Sequence, residues 1–295
     1  MIYNVAIIGA GLSGALLSYE LSQKNISHII IDKGRGLGGR FSSRRMGQTY
    51  FNHGAQNFPF NEFEKEIWFQ NWIKTSMIKR RKSNWSIESK ASDLVRSLIS
   101  EKNIHLNEEI LEIRDKHDSL EMRSKTEKIY SAKKVIVTAP LPQAAKLAGE
   151  WIAPAIRDKM LNTPFIKKII FFVSNKKLLR FATANEFTIE SKMNDHMFVF
   201  SDEISAENFE NSDSEIVTSL MRFLQSYVDE LQPEDIIIKR WRYAQPMNSL
   251  SENYYQSLNK KIYFAGDGFA GEKLFAIEKV FQSTRALLTA SDLLS

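Results

Sequence analysis

The chain of 295 residues contains no cysteine. That excludes disulfides, a thiolate nucleophile and iron–sulfur ligation. No apolar run approaches the ~20 residues that a membrane span requires, so no membrane span is expected. No basic region precedes the first apolar stretch, which is short and broken by glycine; it reads as a core strand, not a signal peptide. A cytoplasmic protein is the expectation. His28, His105, His117 and His196 lack metal-ligand spacing, so no metal is expected. No Ser-His-Asp arrangement can be argued. Internal repeats and low-complexity segments are absent.

What is present is the composition of a soluble globular protein, 43% hydrophobic and 25% charged, in a chain long enough to bury a sizeable core. The formal net charge is +5. A basic surface can steer a phosphate-bearing substrate. The dense basic run Lys79-Arg80-Arg81-Lys82 reads as a solvated loop, and nucleic acid is not an expected partner. The sequence carries no signal for an oligomeric state.

The N-terminus organises the rest. Val5 to Ile8 is a short, β-branched, apolar run that stops at Gly9. Gly9, Gly11 and Gly14, with Ala10, Leu12 and Ser13 between them, form G-x-G-x-x-G, followed by apolar residues at helical spacing. Ile29 to Ile31 is a second buried strand, closed by Asp32 and Lys33. This is a βαβ dinucleotide-binding unit. Gly9 permits the tight turn, Gly11 lets backbone approach a pyrophosphate, and Gly14 lets the helix pack close to the strands. The pyrophosphate is expected on the free N–H groups at the helix start. Asp32 can accept ribose hydroxyls, and its charge disfavours a 2′-phosphate.

Next comes K-G-R-G-L-G-G-R, ending Gly38, Gly39, Arg40. The spacing of acid, glycine pair and arginine resembles FAD enzymes of the amine oxidase and protoporphyrinogen oxidase superfamily. There the pair and arginine hold a second loop against the FAD diphosphate, and Arg40 can supply a charge-assisted fork. F-N-H-G-A-Q-N-F, Phe51 to Phe58, resembles a segment of renalase-like flavoproteins, with Asn52 and Asn57 departing from it. R-W-R-Y-A-Q-P, Arg240 to Pro246, and Y-F-A-G-D-G-F, Tyr263 to Phe269, are similar to two more of their segments.

The resemblance implies an α/β fold: a Rossmann-type FAD-binding domain interleaved with an α+β substrate domain on an antiparallel sheet. Residues 1–60, 90–140 and 258–295 are assigned to the first, 61–89 and 141–257 to the second. It implies FAD contacts from Gly54, Ala55, Gln56, Ile110, Gly266 and Asp267, and a last helix, about Ile277 to Leu294, aimed at the flavin. Missing cysteine excludes a cysteinyl flavin link. Near that helix the family has an acid followed by glycine and small residues; this chain has Glu278-Lys279-Val280 and Thr284. Lys279 either reinforces the reduced flavin with its charge or points to solvent. His53 is a hydrogen-bonding partner of the flavin, a tuning charge, or a loop histidine bonded to backbone. Gln56, in the same segment, is grouped with His53, Trp241 and Lys279 as candidate catalytic residues. Trp241 and Tyr243 wall a substrate cavity or pack in the core; Arg240 and Arg242 bind anionic groups or lie exposed on a strand.

The expected activity is FAD-dependent oxidation of a small molecule. Substrate hydride passes to flavin N5 and then to molecular oxygen, giving hydrogen peroxide. Renalase-like proteins oxidise misreduced isomers of NAD(P)H, which makes these the leading substrates and amines the second. A flavin-binding protein without turnover and an NAD dehydrogenase without flavin are the alternatives.

Further along, residues 61–74 predict a helix with Phe63, Ile67 and Trp68 inward, 84–88 a strand, 92–101 a helix and 104–113 a strand. Residues 120–123 and 128–130 predict a meander, 133–140 a buried strand, and 166–174, 185–189, 196–200 and 235–241 strands. Residues 213–230 predict an amphipathic helix.

Overall fold

The computed structural model describes residues 1–59, 62–180, 184–271 and 276–290. It divides into two compact units. The first comprises residues 1–42, 55–164 and 246–295, the second 43–54 and 165–245.

The first unit is built on a sheet of eight strands among the described residues. Its parallel centre runs Ile262–Phe264, Ile129–Val137, Ile2–Ile8, His28–Ile31, Ile104–His105. Period-two alternation sends the side chains of Ile2–Ile8 to opposite faces. Val5 and Ile7 join the helix Leu12–Gln23 through Leu16, Leu17 and Leu21. Ala6 and Ile8 join Leu141, Ala144 and Ala145 of the helix Leu141–Ala148. Both faces are covered, as a parallel sheet requires.

The predicted meander and buried strand are one element. Ile129–Val137 pairs antiparallel with Leu120–Ser124 at one end and parallel with Ile2–Ile8 along most of its length. The predicted strand 104–113 is instead two, Ile104–His105 and Ile110–Asp115. Between them Asn107 takes φ 59°, and the chain bends to the Asp32 loop: Asn107 N donates to Gly34 O (3.0 Å) and Glu108 N to Asp32 O (2.9 Å).

In the predicted helix 61–74, a 3-10 turn, Glu62–Lys65, and an α-helix, Ile67–Lys74, are separated at Glu66, whose ψ of 142° resets the register. Trp68, Phe69 and Trp72 are therefore buried with Phe63, while Ile67, expected inward, is 71% exposed. Residue 61 lies outside the described residues. The helix expected over 92–101 is Ala91–Arg96.

The second unit holds a sheet ordered Phe187–Lys192, Asp195–Phe200, Phe165–Val173, Ile236–Pro246, its first three strands antiparallel. One face carries Ile169, Phe171, Phe198 and Phe200 against Ile216, Leu220 and Leu224 of the helix Asp213–Leu224. That helix stops six residues before expectation, because the chain turns to bury Tyr227, Val228 and Leu231. The other face carries Ile170, Phe172 and Met197 against Met46 and Phe51 of the hairpin Ser43–Met46/Thr49–Asn52.

The compact units do not follow the expected domain limits. Residues 62–89 lie in the first unit because Phe63, Trp68, Phe69, Trp72 and Trp85 share a core with Leu16 and Phe281. Residues 141–164 cover its other sheet face, and 246–257 also belong to it. Residues 43–54 belong to the second unit through Met46 and Phe51.

Candidate active site

Three parallel strands of the first unit end at one edge, where open α/β sheets bind ligands. Gly9 turns the chain there at φ 119°; a Cβ would stand 2.4 Å from Thr138 Oγ1. Thr138 donates to the carbonyls of Ile8 (3.2 Å) and Gly9 (3.3 Å). At Gly14 a Cβ would stand 2.0 Å from Gly9 O, so only glycine lets the helix seat on the turn. Gly11 differs: a Cβ there would meet only Gly38 O, at 3.8 Å. A side chain would fill the space over the helix start without colliding with protein. The helix begins at Leu12 with no side-chain cap and no acid in its first turn. Its free N–H groups, including those of Ser13 and Gly14, suit an anion.

A second glycine loop closes this cradle. Gly38, at φ 112°, forms a bridge with Gly11 and donates to Ala10 O at 2.9 Å. Asp32 ties the two loops: Oδ2 accepts from Ala10 N and Oδ1 from Gly34 N, each at 2.6 Å. A carboxylate has about four acceptor positions, so ribose hydroxyls can still be taken. Ile110 is buried at the start of its strand, two residues beyond Glu108. Lys33 reaches away toward Gln143 (3.5 Å) and Glu109 (4.0 Å).

Arg40 follows the glycine pair and meets Asp267 with both terminal nitrogens, Nη2 to Oδ1 at 2.6 Å. Burial works against the guanidinium charge, but the charge and hydrogen bonds of Asp267 outweigh it and hold the pKa above its ordinary value. Gly266 N donates to Ser283 Oγ at 2.9 Å, and a Cβ on Gly266 would lie 3.5 Å from Ser13 Oγ. The Gly266-Asp267 segment thus sits at the start of the first helix. Ala55 N donates to Arg40 O at 2.9 Å, and Gln56 O accepts from Ile87 N; the Gln56 residue is exposed.

Ile277 is buried in the first turn of the helix Ala276–Thr289; residues 272–275 and 291–295 lie outside the described residues. Lys279 does not point to solvent. It is 7% exposed, and its Nζ donates to Ser249 Oγ at 2.9 Å. Ser249 in turn donates to the Asp267 carbonyl at 3.0 Å. The solvent reading failed because a partner 30 residues away accepts the charge-assisted bond.

The second unit holds His53, which follows its hairpin, with Gly54 exposed beyond it. The ring stacks on Trp241, with centroids 5.5 Å apart at 27°, and meets Phe172 edge-on at 5.7 Å. Trp241 Nε1 donates to the His53 carbonyl at 3.2 Å. Burial, then Lys239, then Arg44 lower the imidazole pKa to about 4. His53 is therefore neutral at pH 7. Arg242 forks onto Glu210 (2.7 and 2.9 Å), and Arg240 pairs with Asp213 at 3.0 Å; both are exposed strand residues. Tyr243 packs edge-on against Phe165.

Sequence reasoning missed Thr138, Ser249, Ser283, Arg44 and Lys239. Thr138 had a signal, since it ends a parallel strand at the ligand edge. The others act through contacts distant in sequence.

Two family profiles match the chain. That of NAD(P)-binding Rossmann-like domains covers residues 7–69, and that of flavin containing amine oxidoreductases covers residues 79–286. The chain belongs to the flavin containing amine oxidoreductase family. Its cofactor is FAD. The glycine cradle, uncapped helix start and Asp32 fit that dinucleotide. A curated relative, the glycerol 3-phosphate oxidase of Mycoplasma genitalium, is 24% identical over 187 residues, 60% of this chain and 46% of the relative. The chain thus spans less than half of that relative's length. Two solved structures share the fold. One is an Exiguobacterium sp. 255-15 protein assigned as a protoporphyrinogen oxidase, 10% identical over 99% of both chains, with a TM-score of 0.66. The other is a triple mutant of putrescine oxidase redesigned in its cofactor binding, 12% identical over 97% of this chain and 98% of that one, with a TM-score of 0.62. Among the described residues no helix is long and apolar enough to cross a membrane, and no cluster of side chains suits a metal ion.

Proposed function

We propose that this FAD-dependent oxidoreductase oxidises dihydro isomers of NAD(P). The observation that carries the reading is the contact between His53 and Trp241, 188 residues apart. They belong to two of the segments that resemble renalase-like flavoproteins, and their rings stack on each other.

In this reading Gly9 to Gly14, Gly38, Gly39 and Arg40 hold the diphosphate, and Asp32 holds the ribose. Ala55, Gln56, Ile110, Gly266, Asp267 and Ile277 complete the cofactor contacts. FAD supplies the two-electron acceptor, with oxygen as second substrate and hydrogen peroxide as product. His53 stays neutral and donates or accepts one hydrogen bond, while Trp241 holds the imidazole by stacking on it and by its Nε1 bond to the His53 carbonyl. Lys279 contributes a buried positive charge, and Gln56 an exposed amide. Amines are the second reading, favoured by the family's description and by the putrescine oxidase fold.

Anaerobic titration of the purified yellow protein tests the choice. Bleaching of the visible flavin band by dihydro-NAD(P) isomers, and not by putrescine, is expected. Bleaching by amines alone transfers the assignment to the second reading.

A further inference from the structure

We propose that Lys279 sets the reduction potential of the bound FAD, by answering the negative charge that the cofactor gains on reduction. This goes beyond the choice of substrate: it needs FAD alone, whichever molecule donates the electrons.

The last helix, Ala276–Thr289, carries Lys279 and Ser283 one turn apart, on one face. Both side chains serve the segment that follows the strand Ile262–Phe264. Ser283 Oγ accepts from Gly266 N at 2.9 Å. Lys279 Nζ donates to Ser249 Oγ at 2.9 Å, and Ser249 Oγ donates to Asp267 O at 3.0 Å. Leu250 N donates to Gly268 O at 2.8 Å and holds the same stretch. Gly266 in turn approaches Ser13 at the start of the first helix. The ammonium is thus fixed beside the cofactor cradle.

An ammonium has three donors. Among the described residues Lys279 gives one of them to a hydroxyl and pairs with no carboxylate. The Asp267 carboxylate is forked by Arg40. Lys279 is 7% exposed, and Ile277, Val280 and Phe281 around it in the helix are buried too. A charge so buried is costly unless an opposite charge meets it. An apolar side chain would serve the core better, so packing does not account for the lysine. A ligand has to bring the counter-charge.

FAD brings it on reduction. A hydride carries two electrons and one proton, so its transfer leaves one added negative charge on the ring system and one more positive charge on the oxidised substrate. The diphosphate carries the same charge in both oxidation states, and a lysine serving it would favour neither. A lysine serving the ring system binds reduced FAD more tightly and raises the potential. Water is excluded from so buried a side chain, which strengthens the attraction.

The test is equilibrium reduction of the FAD-loaded protein against dyes of known potential, with the affinity of the apoprotein for oxidised FAD measured alongside. K279Q keeps a donor for Ser249 and loses the charge. It is expected to lower the preference for reduced over oxidised FAD at least tenfold, a fall in potential of about 30 mV or more. K279R, which keeps the charge, is expected to retain the preference. K261M removes a like charge that pairs with Asp115 at 2.7 Å and is expected to leave the potential unchanged. An unchanged potential in K279Q overturns the proposal, and equal loss of affinity for both forms of FAD then assigns Lys279 to the diphosphate. A fall in K261M or K279R as large as in K279Q also overturns it. Should K279Q fold poorly, K279M decides by the same titration. If neither isomers nor amines bleach the flavin while the potentials behave as stated, the proposed function falls and the role of Lys279 stands. If isomers bleach it and the potential of K279Q is that of the parent, the role of Lys279 falls and the function stands.

Discussion

Asp267 is 5% exposed, and the Arg40 fork answers its charge. Removing one member of a buried ion pair costs more than the pair is worth, because the other charge stays buried. Arg40→Met is expected to lower stability by about 3 kcal/mol, the low end of the usual range, because the arginine side chain is 31% exposed. Urea unfolding measures this, and flavin content is expected to fall with it. His53 gives a pH signature. Its native pKa is about 4 against an ordinary 6.5. Between those values the unfolded chain binds the extra proton, so stability rises with pH through this window and is level above it. His53→Asn is expected to flatten that rise, by at most ~3 kcal/mol at its acid end. Unfolding free energies of parent and variant between pH 4 and 7 check the difference. Lys279 shows why such side chains resist reading from sequence. A lysine after Glu278 looks solvated until Ser249 is seen beside it.

At the scale of elements, the first turn and helix were the most legible part of the chain. Gly9 and Gly14 are demanded by backbone geometry within six residues, so no distant contact is needed to infer them. Gly14→Ala would force its Cβ to within 2.0 Å of a backbone oxygen. Moving the helix off its strand costs at least the 1–3 kcal/mol typical of overpacking, about 2 kcal/mol or more. Thermal unfolding is expected to shift downward and the protein to purify colourless. Element edges were less legible. The residues of the strand Ile129–Val137 read as two elements because the sequence does not say that one strand serves two pairing modes. Ile67 was expected inward because a helix was assumed to run unbroken through Glu66. The hairpin at Ser43–Asn52 was missed, since its pairing serves the packing of Met46 and Phe51 on a sheet formed far later in the chain. Arg44 was overlooked for the same reason: its guanidinium lies over Phe172, on a strand far later in the chain.

For the whole molecule, the mixed α/β fold with a Rossmann-type domain was legible from the resemblance, but the parting of the chain was not. The described cradle residues all lie in the first unit. FAD at a hundredfold excess over its dissociation constant is expected to stabilise the native state by ~2.7 kcal/mol. Hydrogen exchange is expected to show the added protection first in residues 2–23 and 34–42; equal protection in 187–200 would contradict a cradle confined to that unit.

The chain passes from the first unit to the second and back twice, at residues 42/43, 54/55, 164/165 and 245/246. Synthesis runs from the N-terminus, which fixes an order of completion. The last strand of the second unit leaves the ribosome before Ile262–Phe264 and Ala276–Thr289, which the first unit needs to cover its sheet. A nascent chain therefore carries every strand of the second unit before the strand Ile262–Phe264 and the helix Ala276–Thr289 of the first unit have been made. Arg40 waits in that chain for Asp267, the carboxylate that will hold its guanidinium.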